Sequence, residues 1–218
     1  MRLIGILGGT FNPIHFGHLR MAQEIADTLQ LKQVLFIPAA NPPHKESPNV
    51  SSAKRAEMVE LAIAGNTLFK LDIRELGREG ASYTIDTLIS LRSEMDAEQN
   101  SLTAFCLMMG SDAFVKFNTW HRWKEILEYC HIILVQRPID SKDKSALASD
   151  LANLLQDHYT ENIDDLSSRP AGFILMQHIT ALSISSTAIR NAFKHRQVPH
   201  YLMPETVIHY IKANALYN

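Results

Sequence analysis

Two histidines, His15 and His18, close the stretch GGTFNPIHFGH at residues 8–18. An imidazole is neutral or cationic near neutral pH. Two of them behind a glycine turn suit a ligand whose negative charge changes during reaction. Gly8 and Gly9 follow the apolar run RLIGIL and allow a tight turn with close backbone approach to a ligand. Pro13 stiffens the loop. Gly17 opens the next helix, whose first amides lack partners and carry partial positive charge. A phosphate is favoured there, and both histidines can donate ring N–H bonds to its oxygens. A lone loop histidine would call for no such reading; two around Gly17, between a glycine turn and a helix, do.

A second stretch, SISSTAIR at 183–190, offers the same chemistry. Ser185, Ser186 and Thr187 can cap a helix and still present hydroxyls to an anion. Arg190 lies one turn beyond Thr187, and its guanidinium suits bidentate phosphate recognition. Alone, a serine-rich helix start is most often only a cap; paired with the first loop it gains weight. The dinucleotide fingerprint G-x-G-x-x-G and the phosphate loop G-x-x-x-x-G-K-[ST] are both absent. The strand after the first helix runs into FIPAANPPHK, with no acid for a ribose, so hydride transfer is disfavoured.

These loops need a scaffold, and the hydrophobic pattern supplies one. Short apolar runs predict strands at RLIGILG, QVLFIPA, LFKLDIREL, LTAFCLMMG, CHIILVQRP and AGFILMQHI. Helical periodicity predicts helices at 17–30, 52–65, 82–95, 111–117, 120–129, 146–159, 183–195 and 204–217. Strands alternating with helices imply an α/β fold: a Rossmann-like, doubly wound parallel sheet with helices on both faces and further helices at the C-terminus. Ligands of such sheets bind outside the carboxyl ends of the strands. That rule gathers the unusual residues of the chain on one rim. The 218 residues fit a single domain, 1–218, in which the polar tract 139–170 is expected to be a surface insertion.

Composition bounds the partners. The chain is 46% hydrophobic and 20% charged, the balance of an ordinary globular protein, and its formal net charge is −2. That charge exerts no general pull on nucleic acid or an anionic membrane, so an anion must be held locally. Cys106 and Cys130 lie in apolar runs and read as buried thiols without a disulfide. No run approaches the roughly 20 apolar residues of a membrane span, and the expected location is cytoplasmic.

GGTFNPIHFGH resembles the H-x-G-H signature of the nucleotidyltransferase superfamily, and ISSTAIR at 184–190 is similar to its C-terminal I-S-S-T-x-I-R motif. The resemblance implies that His15, His18 and Arg190 act on the phosphates of ATP. It implies that Gly8, Gly9, Thr10, Phe11 and Gly17, with Ser185, Ser186 and Thr187, line the nucleotide. Four further stretches, NPPHK (41–45), SYTIDTL (82–88), GSDAF (110–114) and TWHRW (119–123), resemble the bacterial nicotinate-nucleotide adenylyltransferases over essentially the whole chain. That family transfers AMP from ATP to nicotinate mononucleotide in NAD biosynthesis, releasing pyrophosphate.

By that resemblance Gly110 and Asp112 hold the adenosine portion, and Asn41, His44 and Lys45 form a loop over the mononucleotide. Trp120 faces the flat pyridine ring, and the turn at Tyr83 and Thr84 meets its carboxylate. Each has a plainer alternative: a core tryptophan, helix caps at Tyr83–Thr84 and at Asp112, a solvated lysine. Two positions depart from the family pattern, Asn12 where TFDP is common and His121 where a tyrosine often follows the tryptophan. Mg²⁺ is expected with ATP, held mostly by phosphate and water oxygens. The sequence shows no carboxylate cluster for a fixed metal and no zinc pattern. The alternatives are an adenylyltransferase for another phosphate, such as nicotinamide mononucleotide or pantetheine phosphate, and a nucleotide sensor without turnover.

Overall fold

A computed structural model of the chain describes residues 1–42, 48–97, 102–136, 147–180 and 182–218. Seven parallel strands form one sheet in the order β3-β2-β1-β4-β5-β7-β6. They are β1 (Arg2–Gly9), β2 (Gln33–Pro38), β3 (Phe69–Leu71), β4 (Thr103–Gly110), β5 (His131–Gln136), β6 (Tyr159–Thr160) and β7 (Ile174–His178). The helices are α1 (Phe16–Thr28), α2 (Ser52–Ile63), α3 (Thr84–Ala97), α4 (Ser111–Phe114), α5 (Ile126–Tyr129), α6 (Ser149–His158), α7 (Ser186–Lys194) and α8 (Glu205–Ala213).

Alternation along the strands sorts the core into two layers. Leu3 and Leu7 of β1 join α1, α2, α7 and α8 on one face; Ile4 and Ile6 join α3, α4, α5 and α6 on the other. β1 and β4 are central and buried on both faces, which is why they read as continuous apolar runs. Gly5 sits where side chains of β2, β4 and the turn after α1 crowd against β1. A Cβ there would lie 2.6 Å from Cε of Met108 and 2.9 Å from Leu31.

Three expectations change. The third strand is three residues long, because β3 is a sheet edge that pairs only with β2, and the chain leaves it as turns from Asp72 onward. The stretch 120–129 is not one helix. Arg122 takes the left-handed φ of 50°, so the chain breaks into short 3-10 turns before α5. The tract 139–170 is no mere surface excursion in its described part. α6 buries Leu151 in the second core layer, β6 extends the sheet beside β7, and Leu166 is fully buried in the first layer. The described residues 147–170 thus wrap one edge of the sheet, and their apolar positions are what polarity averaged over the whole tract conceals.

Candidate active site

All strands run in parallel, so Gly9, Pro38, Leu71, Gly110 and Gln136 end on the same rim. β1 pairs with β2 on one side and β4 on the other. The connections on its two sides lead to opposite faces, and this opens a crevice at the β1/β4 ends. Gly8, Gly9 and Gly110 end strands at this rim, and the loop after Gly9 and α4 after Gly110 carry further candidate residues.

The β1–α1 loop is built around glycines with specific neighbours. A Cβ at Gly8 would meet nothing within 4 Å, so this backbone is open to a ligand. A Cβ at Gly17 would lie 3.0 Å from Nδ1 and Cε1 of His15, so a side chain there would displace the imidazole. Phe11 anchors the loop at 2% exposure with a left-handed φ of 46°. His15 takes the N-cap position of α1 and is buried; its ring stacks on His18 with centroids 3.8 Å apart. Nδ1 of His18 accepts the backbone N–H of His15 at 3.3 Å. A neutral His18 therefore carries its proton on Nε2, across the ring from that bond.

Side chains from three other elements grip the same loop. Ser186 donates to the carbonyl of Pro13 at 2.9 Å, and Arg190 donates to the carbonyl of Asn12 at 2.9 Å. The two motifs, more than 170 residues apart, thus form one structure. Ser185 caps α7 by accepting the N–H of Ala188 at 3.2 Å, and Thr187 accepts from Arg190 at 3.3 Å. Tyr217 donates its phenol to Oδ1 of Asn12 at 2.6 Å. Burial pushes that phenol above its ordinary range, which keeps it a donor. Arg55 of α2, at 1% exposure, donates to the carbonyls of Thr10 (2.5 Å), Ala39 (2.7 Å), Ala40 (3.1 Å) and Val50 (3.3 Å). Burial pulls its guanidinium down from the usual value, yet arginine starts so high that it remains a cation.

The other half of the rim is assembled from four segments. Tyr83 precedes α3 directly, Thr84 opens it, and the ring of exposed His121 stacks on Tyr83 with centroids 4.3 Å apart. Trp120 is half-buried and meets Phe117 edge-on at 5.5 Å, so it is partly a core residue. Asn41 is tied to the segment before α3: its backbone carbonyl accepts from Ser82 N–H at 3.0 Å, and its side-chain Nδ2 donates to the carbonyl of Gly80 at 3.0 Å. At the end of β4, Gly110 takes the N-cap position of α4. A Cβ there would lie 2.5 Å from Oδ1 of Asp112, so glycine allows the carboxylate to fold back. Asp112 is exposed in the first turn rather than at the cap. His44 and Lys45 lie outside the described residues.

Four residues that the motifs did not single out hold these parts: Arg55, Tyr217, Ser82 and Glu75. Glu75 is 6% exposed and accepts from Oγ1 of Thr87 at 2.6 Å. Burial raises its carboxyl pKa, and hydrogen bonds from Thr87 and Ser82 with the nearby charge of Arg78 oppose that rise. The sequence signal for Arg55 was an arginine on the apolar face of a helix, one turn before Met58 and Val59. Among the described residues, no group of three or more His, Cys, Asp or Glu could hold a metal ion, and no helix is long and apolar enough to cross a membrane.

The model of the cytidylyltransferase-like family matches residues 6–192, from the first glycine loop through Arg190. Full-length similarity narrows this. A protein of Hydrogenovibrio crunogenus named "Probable nicotinate-nucleotide adenylyltransferase" is 43% identical, covering 99% of this chain and 98% of its own. One of the same name from Pseudomonas fluorescens is 42% identical, covering 98% of this chain and 96% of its own. This chain belongs to the nicotinate-nucleotide adenylyltransferase family. The fold agrees. A Plasmodium falciparum nicotinic acid mononucleotide adenylyltransferase, solved complexed with NaAD, superposes with a TM-score of 0.68 at 18% identity, over 100% of this chain and 98% of its own. The parallel sheet with its flanking helices is thus a nucleotidyltransferase-type fold.

Proposed function

We propose that the chain transfers AMP from ATP to nicotinate mononucleotide, forming nicotinate adenine dinucleotide and pyrophosphate in NAD biosynthesis. The observation that carries this reading is the junction of the two phosphate motifs, where Ser186 and Arg190 donate to the carbonyls of Pro13 and Asn12. Family membership supports the choice of acceptor.

The acceptor's phosphate oxygen attacks the α-phosphorus of ATP. The new P–O bond forms as the bond from the α-phosphorus to the bridging oxygen breaks, and the electron pair leaves with pyrophosphate. The nucleophile is already an anion, so no base is needed to activate it. The obstacle is charge, since two anions meet and more negative charge grows on the leaving group. Positioning and fixed donors are therefore the main sources of rate. His15 and His18 supply ring N–H donors beside the first amides of α1. Arg190 and the start of α7 supply donors from the opposite side. Gly8 and Gly9 let the nucleotides approach the backbone, and Thr10 and Phe11 shape that approach. Gly110 and Asp112 receive the adenosine, with the carboxylate on ribose hydroxyls. Asn41, His44 and Lys45 cover the mononucleotide. Tyr83, Thr84 and His121 meet the pyridine carboxylate, and Trp120 meets the ring. Mg²⁺ arrives with the triphosphate as part of the substrate, its ligands mostly phosphate and water oxygens.

The test is pyrophosphate release with ATP and Mg²⁺ when nicotinate mononucleotide, nicotinamide mononucleotide or phosphopantetheine is the acceptor. A strong preference for the nicotinate form is expected. Turnover only with another phosphate would keep the two phosphate motifs and discard the acceptor assignment.

A further inference from the structure

Nothing in the proposed chemistry requires a carboxylate beneath the mononucleotide half of the rim, yet Glu75 is buried there. Its bonding is constrained by proton counting. The hydroxyl of Ser82 accepts the N–H of Ala40 at 3.0 Å and of Asn41 at 3.1 Å. Both lone pairs are then used, so its single proton is left to face the nearby carboxyl of Glu75, whose rise in pKa it opposes. Thr87 accepts from Nη1 of Arg78 at 3.1 Å and gives its proton to Oε1 of Glu75 at 2.6 Å. Glu75 therefore accepts from Thr87 and is faced by the hydroxyl of Ser82, and each hydroxyl is oriented by a donor behind it.

The consequences reach two chain segments. Thr87 belongs to the first turns of α3, directly behind Tyr83 and Thr84. Ser82 grips the backbone of Ala40 and Asn41. We propose that Glu75 is a positioning residue for the mononucleotide, setting the spacing between the Asn41 loop and the start of α3 and so the fit of the acceptor's pyridine end. Arg74 braces the outer side of the same helix, donating to Ser90 at 3.0 Å and Glu94 at 2.9 Å. Only the inner brace reaches the loop after β2. This inference rests on the assignment of Asn41, Tyr83 and Thr84 to the mononucleotide.

Glu75→Gln is a sharp probe because it keeps shape and removes one acceptor. Its amide N–H₂ would face a hydroxyl that already points a proton at it. Relief at Ser82 costs the amide of Ala40 or Asn41 its acceptor; relief at Thr87 sets a proton against Arg78. Two-substrate kinetics should show the KM for nicotinate mononucleotide raised about tenfold, with kcat and the KM for ATP within about twofold of wild type. Ser82→Ala, which removes only a half-buried hydroxyl, should give the same split. The double variant should be little worse than either single one, because both break one chain of bonds. An unchanged mononucleotide KM in Ser82→Ala, or kcat and both KM values moving together, would overturn the proposal. If the wild-type protein does not use nicotinate mononucleotide at all, the functional reading falls and this inference with it. If the wild type uses it and the split is absent, the inference alone falls.

Discussion

The half of the rim proposed for the triphosphate and the half proposed for the mononucleotide are built on opposite plans. In the first, the groups proposed to meet the ligand sit in two short motifs. The side chains that hold them grip mainly backbone: Arg55, Ser186 and Arg190 all donate to carbonyls of other segments. In the second, the candidate groups come from three segments, at Asn41, Tyr83–Thr84 and Trp120–His121, and one buried carboxylate lies against the hydroxyls of Thr87 and Ser82 that serve the first two. In the proposed reading the first half is an anion cradle whose donors are fixed by cationic and hydroxyl clamps. The second is an assembled pocket whose shape depends on one acceptor. Damage to the first should appear in turnover; damage to the second should appear in acceptor affinity.

The largest expected effect is at His18. His18→Ala removes a donor aimed at growing charge, and kcat should fall roughly 10²–10³-fold while the thermal midpoint stays close to wild type. Single-turnover kinetics with saturating substrates checks this. Near-normal turnover would remove the histidines from the phosphate site and erase the contrast between the halves.

Arg55 comes next. Arg55→Met leaves four carbonyl contacts without their donor inside the protein. Stability should drop by roughly 3 kcal/mol, read from denaturant titration. The KM for ATP should rise in whatever fraction stays folded, because Thr10 loses its anchor. A variant as stable as wild type would mean that the loop holds its shape without the clamp.

The same contrast explains what could be read from the sequence. His15, His18, Ser185, Ser186 and Arg190 could be picked out as candidates because their chemistry and their spacing are local. The parallel sheet was legible because β1, β4 and β5 are buried on both faces and their apolar runs are unbroken. Arg55 and Tyr217 were not legible, because Thr10 and Asn12 lie 45 and 205 positions away; Glu75 was not, because its bond to Thr87 depends on how the turns after β3 fold against α3. Arg55 looks like a stray charge on α2 until Thr10 and Ala39 are seen around it. Tyr217 returns to Asn12 across 205 positions. Residues 120–129 failed for a different reason: helical periodicity persists there, but the left-handed turn at Arg122 is a tertiary choice. The edge strand β6, two residues long, is too short for any pattern to reveal.

The smallest and most selective effect expected is at Trp120, whose half-burial against Phe117 fits both a core role and a ring platform. The measurement that tests the division of the rim most directly is two-substrate steady-state kinetics of Trp120→Ala. The account predicts a KM for nicotinate mononucleotide raised about tenfold, consistent with a lost stacking contact of order 1 kcal/mol plus lost burial, and a KM for ATP within about twofold of wild type. An equal rise in both values would contradict it, because Trp120 would then be packing that supports the whole rim.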